Sequence, residues 1–348
     1  MMKQNLVALL CSTLALTACA KTKNESTSSE QTTQPSVSSP TDPNLQKKIN
    51  QLVEKTKKNM IFVEGGEYLM GDFGRVTPEL EKTVPNSSAV KNPKGNTQKI
   101  DNLPFVPTTK GYNLHKVILD SFSMNAYKTT IPDYNIFAQA KGIPIIPTTL
   151  YKPEILDEIA AGVSWHQGKE YCNWLGEQVG VSMDLPTEAQ WEYAARNKGK
   201  YVLFATDTGK IKDKVNLWSL SQFDDYKSSN KADYNDSEES FLPFSVLGKT
   251  PTSPLGFYDL VTSNYEWMND WYAEEYITTP IKNPQGPKSG TEKVLRSSPP
   301  MGADNLAMMS GMTIIRSKAP PKLNLEDDYS YLETSVRCVT NTIKPLLR

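Results

Sequence analysis

The sequence predicts one folded body of mixed helix and strand, with little regular structure in its C-terminal half, behind an export signal and a low-complexity tether. Three observations carry this expectation. A short apolar run, Leu6 to Leu16, follows Lys3 and ends in small residues. Residues 20–43 read AKTKNESTSSEQTTQPSVSSPTDP, which cannot bury enough apolar surface to offset the entropy of ordering. Clear helical periodicity then runs only as far as Gly199, after which Asn, Asp, Ser and Gly dominate.

Composition narrows the function. Of 348 residues, 38 are Lys or Arg and 39 are Asp or Glu, for a net charge of −1. That balance excludes a strongly basic nucleic-acid binder. No run of 18 or more apolar residues follows the first 20 positions, so no membrane-spanning helix is expected in the body. His115 and His166 are the 2 histidines, too few for a three-histidine metal site. No Ser-His-Asp order, phosphate loop or HExxH run appears, so nothing signals a hydrolase or an NTPase.

Residues 1–18 have the charged start, short apolar centre and small-residue end of a signal peptide. The run Leu16-Thr17-Ala18-Cys19 resembles a bacterial lipobox. That resemblance implies that Cys19 is diacylated and becomes the first mature residue; the plainer alternative is an ordinary cleaved signal with a chance cysteine. Several acyl chains on one N-terminus anchor durably, and Ala20 rather than Asp favours the outer membrane, facing the periplasm. Residues 19–59 form the next unit, a tether plus a short amphipathic helix from Asn44 to Asn59, with Leu45, Ile49, Leu52 and Val53 at helical spacing. This helix could touch head groups, but packing on the following domain is the plainer role.

The body, residues 60–342, opens with a strand, Ile61 to Met70, whose glycine pair permits a turn or bulge. Residues 131–140 look helical. Ser164 is a good N-cap for WHQGKEYCNWLGEQVG, which Gly180 can end. Thr187 and Gln190 have capping-box spacing at the head of a helix that Gly199 stops. The stretch 224–239, with Asp224, Asp225, Asp233, Asp236, Glu238 and Glu239, reads as an exposed acidic loop. About 290 residues remain for the body, a size one large domain can absorb.

GGEYLMGD, VSWHQGKEYCNWLG, LPTEAQWEYAAR, VNLW, SPLGFYDLVTSNYEWMNDWY, KVLRSS and SVRCV occur in this order. Together they resemble the formylglycine-generating enzyme, or sulfatase-modifying factor, family over roughly residues 60 to 342. The resemblance implies an α+β fold: one formylglycine-generating-enzyme-like, elaborated C-type-lectin-like domain. Function must then be argued residue by residue.

Active members of that family hold Cu(I) on a cysteine pair shortly after an RGGS-like motif, and thiolate suits that soft ion. Here the motif reads Arg296-Ser297-Ser298 and no cysteine follows until Cys338. Copper is therefore not expected. Met301, Met308, Met309 and Met312 cluster where the cysteines would stand. Thioethers also suit Cu(I), but methionine more often fills gaps or forms an adaptable partner surface.

The resemblance further implies two structural calcium sites built of oxygen donors. Asn216 and Leu217, with Glu239 and Phe241, match the first; Asp259 and Glu266, with Thr262 and Asn264 through carbonyls, match the second. Solvated loop charge is the plainer reading of these acids. Cys172 and Cys338 match cysteines that the family joins, and an even pair is normally oxidised in the periplasm; two buried thiols are the alternative. Arg196 and Arg316 match arginines expected to bond internally, and the tryptophans of these motifs should pack the core.

Two functions of different class follow. One is a non-catalytic accessory module that binds another envelope or secreted protein, in enzyme maturation, signalling or immunity to a toxin. The other is a sulfatase-modifying oxidase acting on a peptidyl cysteine or a related group.

Overall fold

The computed structural model describes residues 42–73, 113–149, 151–212, 214–218, 220–230, 246–261, 263–276, 279–298, 311–322 and 333–346. The body opens with helix α1, Pro43–Asn59, capped by the Asp42 carboxylate on the Asn44 N–H. Its buried residues are Ile49, Leu52 and Thr56, and the first two join the aromatic cluster of Tyr134, Phe137 and Trp174. The amphipathic helix therefore packs on the domain, and Lys55 pins it there through Asp133 at 2.9 Å.

The strand expected over 61–70 is two strands. β1 (Met60–Val63) pairs with β4 (Phe122–Asn125), whereas β2 (Gly66–Met70) pairs with β3 (His115–Leu119). Gly65 makes the break: a Cβ there would lie 2.3 Å from the Leu119 carbonyl oxygen. Only glycine lets the two backbones approach so closely.

Helices α2 (Ile131–Lys141), α3 (Trp165–Val179) and α4 (Glu188–Ala195) follow. The expected capping box of Thr187 with Gln190 forms, and the expected N-cap Ser164 proves to be a second box with Gln167; in each, side-chain and backbone bonds are exchanged. Gly180 ends α3 in the left-handed region. α4 stops at Ala195, four residues earlier than Gly199. Asn197, Lys198 and Gly199 all take positive φ, a turn closed by the Gly199 N–H on the Tyr193 carbonyl at 3.1 Å. The turn lets the Arg196 guanidinium reach back to the Leu69 and Lys200 carbonyls, both at 2.8 Å.

Past Gly199 the described elements are short. Helix α5, Leu220–Asn230, stands where the acidic stretch was expected to begin as a loop. It carries Asp224 and Asp225 exposed, and Tyr226 packs on Trp218. The strands are β5 (Tyr265–Trp271), β6 (Ile281–Lys282), β7 (Lys293–Arg296), β8 (Ser317–Ala319), β9 (Thr334–Ser335) and β10 (Val339–Thr340). They complete three small sheets in the orders β1-β4-β10, β2-β3-β6 and β8-β7-β5-β9. No described helix is long and apolar enough to cross a membrane. The disulfide Cys172–Cys338 ties α3 to the segment before β10 across 166 positions.

Candidate functional site

The helix α4 is buried on every side, and its two carboxylates organise the space behind the Arg296-Ser297-Ser298 motif. Glu188, Glu192, Arg196 and Arg296 are each at most 2% exposed. Arg296 bridges the two acids, 2.9 Å to Glu188 and 3.1 Å to Glu192, and also donates to the Thr313 carbonyl. Arg316 grips Glu188 with two bonds of 2.6 and 2.8 Å and donates to the Ala273 carbonyl. Burial acts against the ionised Glu188, but Arg316 and Arg296 overcome it and hold its carboxyl below the usual range. Asp270 lies behind this cluster, accepting the Glu188 N–H at 2.8 Å. Burial, with the nearby Glu188 charge, pushes it up to about 7.

A second buried cluster lies under the turn before β5. Glu266, Arg337 and Lys128 are each no more than 1% exposed. Arg337 takes one Glu266 oxygen at 2.7 Å and the other at 2.9 Å, and Trp191 donates to the first at 3.1 Å. The same guanidinium closes on the carbonyls of Asn125, Ala126 and Tyr258. Lys128 donates to the Ser263 carbonyl at 2.9 Å, the Asn264 carbonyl at 2.6 Å and the Ser297 hydroxyl at 3.3 Å, with Glu266 3.6 Å away. Burial lowers its ammonium to about 8, against the pull of Glu266. Asp259, Ser263, Asn264 and Ser297 all have positive φ. Left-handed non-glycine residues persist where their surroundings over-determine them, and here Ser263, Asn264 and Ser297 turn two carbonyls and a hydroxyl onto one ammonium.

The expected calcium ligands fall into this picture unevenly. Asn264 meets Lys128 through its carbonyl at 2.6 Å and Glu266 stands 3.6 Å from it, whereas Asp259 accepts the Gly248 N–H at 2.9 Å. Thr262, Glu239 and Phe241 lie outside the described residues. Asn216 is engaged locally: its oxygen accepts the Lys212 N–H and its amide donates to Asp207, both at 2.7 Å. The Leu217 carbonyl accepts the Lys214 N–H. Among the described residues no three His, Cys, Asp or Glu side chains are grouped as a metal ion would require.

The position of the family's cysteine pair offers copper no thiolate. The sequence has 4 cysteines, and the two beyond residue 19 are joined to each other. Ser298 is buried and donates to the Val261 carbonyl at 3.0 Å. Met301, Met308 and Met309 lie outside the described residues, as does Cys19. Met312 is described and corrects its expected place on a partner surface: it is 6% exposed and packs with Phe73 and Ile314 in the core. Its apolar neighbours exclude it from solvent.

Lys293 is a further internal cation, lying 4.0 Å from the Trp165 ring and 3.8 Å from the Trp271 ring, with a bond to the Asn269 carbonyl. Nearby, a cleft of about 370 Å³ opens among Ser182, Asp184, Gln190, Asn269, Gln285 and Asn341. Its polar lining carries the Gln190–Asn341 bond of 2.7 Å. Lys128, Arg337, Glu188, Glu192 and Asp270 were not legible as a site in the sequence. One available signal was the run of Glu188, Glu192 and Arg196 at spacings of four, which places all three on one helix face.

A family model for the sulfatase-modifying factor enzyme 1-like domain matches residues 46–311. The chain belongs to this family. Bovine formylglycine-generating enzyme (Bos taurus) is 29% identical over 151 residues, 42% of this chain and 35% of that protein. The bovine protein named inactive C-alpha-formylglycine-generating enzyme 2 is 31% identical over 111 residues, 32% of each chain. This chain spans about a third of the length of the first curated relatives it matches. Among solved structures, PvdO from Pseudomonas aeruginosa superposes with a TM-score of 0.50 at 18% identity, covering 81% of this chain and 94% of that one. That likeness establishes the α+β fold and no more.

Proposed function

We propose that this chain is an envelope-facing member of the family that lacks its thiol chemistry and acts by binding another protein. The observation that carries the reading is the disulfide: Cys172 and Cys338 are the body's two cysteines and they are spent on each other. The resembled active enzymes hold their copper on a cysteine pair, and thiolate suits that soft ion; the residues after Arg296 supply serine hydroxyls and methionine thioethers instead. A relative whose name calls it inactive supports a family fold that outlives the chemistry.

On the same reading the chain is held by lipid on Cys19 at the outer membrane, through the low-complexity sequence that precedes the body. The partner is an envelope or secreted protein, met through the methionine-rich stretch that contains Met301, Met308 and Met309. Flexible thioethers adapt to protein surfaces. In vivo crosslinking of wild type and a Met308→Lys/Met309→Lys variant tests this. The variant should melt like wild type and lose the crosslinked partner; full retention of the partner would contradict the assigned surface. Aerobic incubation with copper and a Cys-x-Pro-x-Arg peptide tests the chemistry. Aldehyde above a metal-free blank would overturn the binding-only reading in favour of an oxidase. Cys19→Ser should abolish palmitate labelling and release the protein from the membrane.

A further inference from the structure

The loop that the family resemblance assigns to calcium already contains a cation of the chain's own. We propose that the ε-ammonium of Lys128 takes the place of a divalent ion beside Asn264 and Glu266 in the set that includes Asp259, making this second site independent of calcium supply. The inference does not depend on whether the domain binds a partner.

Three observations converge on it. The first is position: Lys128 donates to the Asn264 carbonyl at 2.6 Å and stands 3.6 Å from Glu266. Both are ligands in the expected calcium set, and the adjoining Ser263 carbonyl is 2.9 Å away. The second is donor capacity. An ionised carboxylate offers roughly four acceptor sites. Arg337 takes two on Glu266, Trp191 a third, and Lys128 faces the Oε1 side. Calcium requires about six to eight oxygens within bonding distance, and the one acceptor site left on this carboxylate is turned toward Lys128. The third is geometry. Asp259, Ser263, Asn264 and Ser297 all hold positive φ. An ammonium has three donors, and two carbonyls and the Ser297 hydroxyl receive them.

Lysine is almost never fully buried unless paired, yet Lys128 is 1% exposed. A divalent ion set among the same oxygens would lie against the ammonium, and two like charges in one desolvated cradle exclude each other. The covalently attached cation has the advantage of being always present.

Calorimetric calcium titration of the full-length, chelator-stripped protein in detergent tests the proposal. Wild type and Asp259→Ala should bind the same number of calcium ions per chain, whatever the Asn216 site contributes. Lys128→Ala should melt at lower temperature and gain one calcium per chain. A wild-type stoichiometry that falls by one on Asp259→Ala would overturn the proposal, as would a folded Lys128→Ala protein with wild-type stoichiometry. Should Lys128→Ala fail to fold, the comparison of wild type with Asp259→Ala still decides.

Discussion

The helices α3 and α4 and the turn-rich segments around β5 and β7 are stabilised by opposite means. Each helix secures its own first turn: Ser164 and Thr187 bond to residues three positions away, and each box satisfies two orphan N–H groups locally. The segments around β5 and β7 contain few such local bonds. They are fixed by buried cations that reach across the chain, Lys128 over 136 positions to Asn264 and Arg337 over 79 to Tyr258. Desolvated carbonyls need partners, and where no ladder supplies N–H groups a guanidinium or ammonium can. The contrast teaches that irregular backbone can be as firmly specified as a helix, at greater risk, because one side chain holds several segments.

The largest expected effect comes from cutting the bond that ties α3 to the segment before β10, which carries Arg337. Cys172→Ala/Cys338→Ala frees a closure spanning 166 positions, which in the chain-entropy model stabilises by about 5 kcal/mol. Denaturant unfolding should register most of that loss. Next, Arg337→Met leaves Glu266 buried against Trp191 and Lys128 while opening three carbonyls. A loss of about 3–5 kcal/mol is expected from an uncompensated buried charge, measured by the same unfolding experiment.

A smaller effect depends on pH. The Asp270 carboxyl is raised from 3.8 to about 7 by burial first and by Glu188 second. The folded state therefore holds a proton that the unfolded chain has released. This stabilising contribution is complete below about pH 4 and is lost as pH rises through about 7. Asp270→Asn should remove the dependence, so its stability relative to wild type should improve by roughly 2–3 kcal/mol between about pH 5 and pH 8. An unchanged difference across that range would show that Asp270 is ionised throughout. Smallest are the caps: Ser164→Ala and Thr187→Ala should each cost about 1 kcal/mol, without loosening the segments around β5.

What the sequence disclosed follows the same division. The Thr187 capping box, the Ser164 N-cap, the ends of α1 and α3 and the core tryptophans were legible because their causes lie within a few residues. The α+β fold was legible through motifs that recur in order. The glycine pair at Gly65 announced a turn or bulge, but not that its two sides join different sheets, since that depends on Leu119 approaching from another strand. The early end of α4, which serves a bond from Arg196 to Leu69, was not legible either. Lys128 carried no signal at all. A single lysine in Tyr127-Lys128-Thr129 reads as surface charge, and only the tertiary fold brings it to Ser263 and Asn264. Met312 read as surface for the converse reason: its neighbour Phe73 is far away in the chain.

The central claim is that internal cations, not local hydrogen bonding, order the segments around β5 and β7. Hydrogen–deuterium exchange of wild type and Lys128→Met, followed by mass spectrometry, addresses it most directly. Amides in 256–261, 265–271 and 293–298 should exchange much faster in the variant, while those of α3 keep their wild-type protection. Equal acceleration in α3, or wild-type protection around β5 after the ammonium is removed, would contradict the claim.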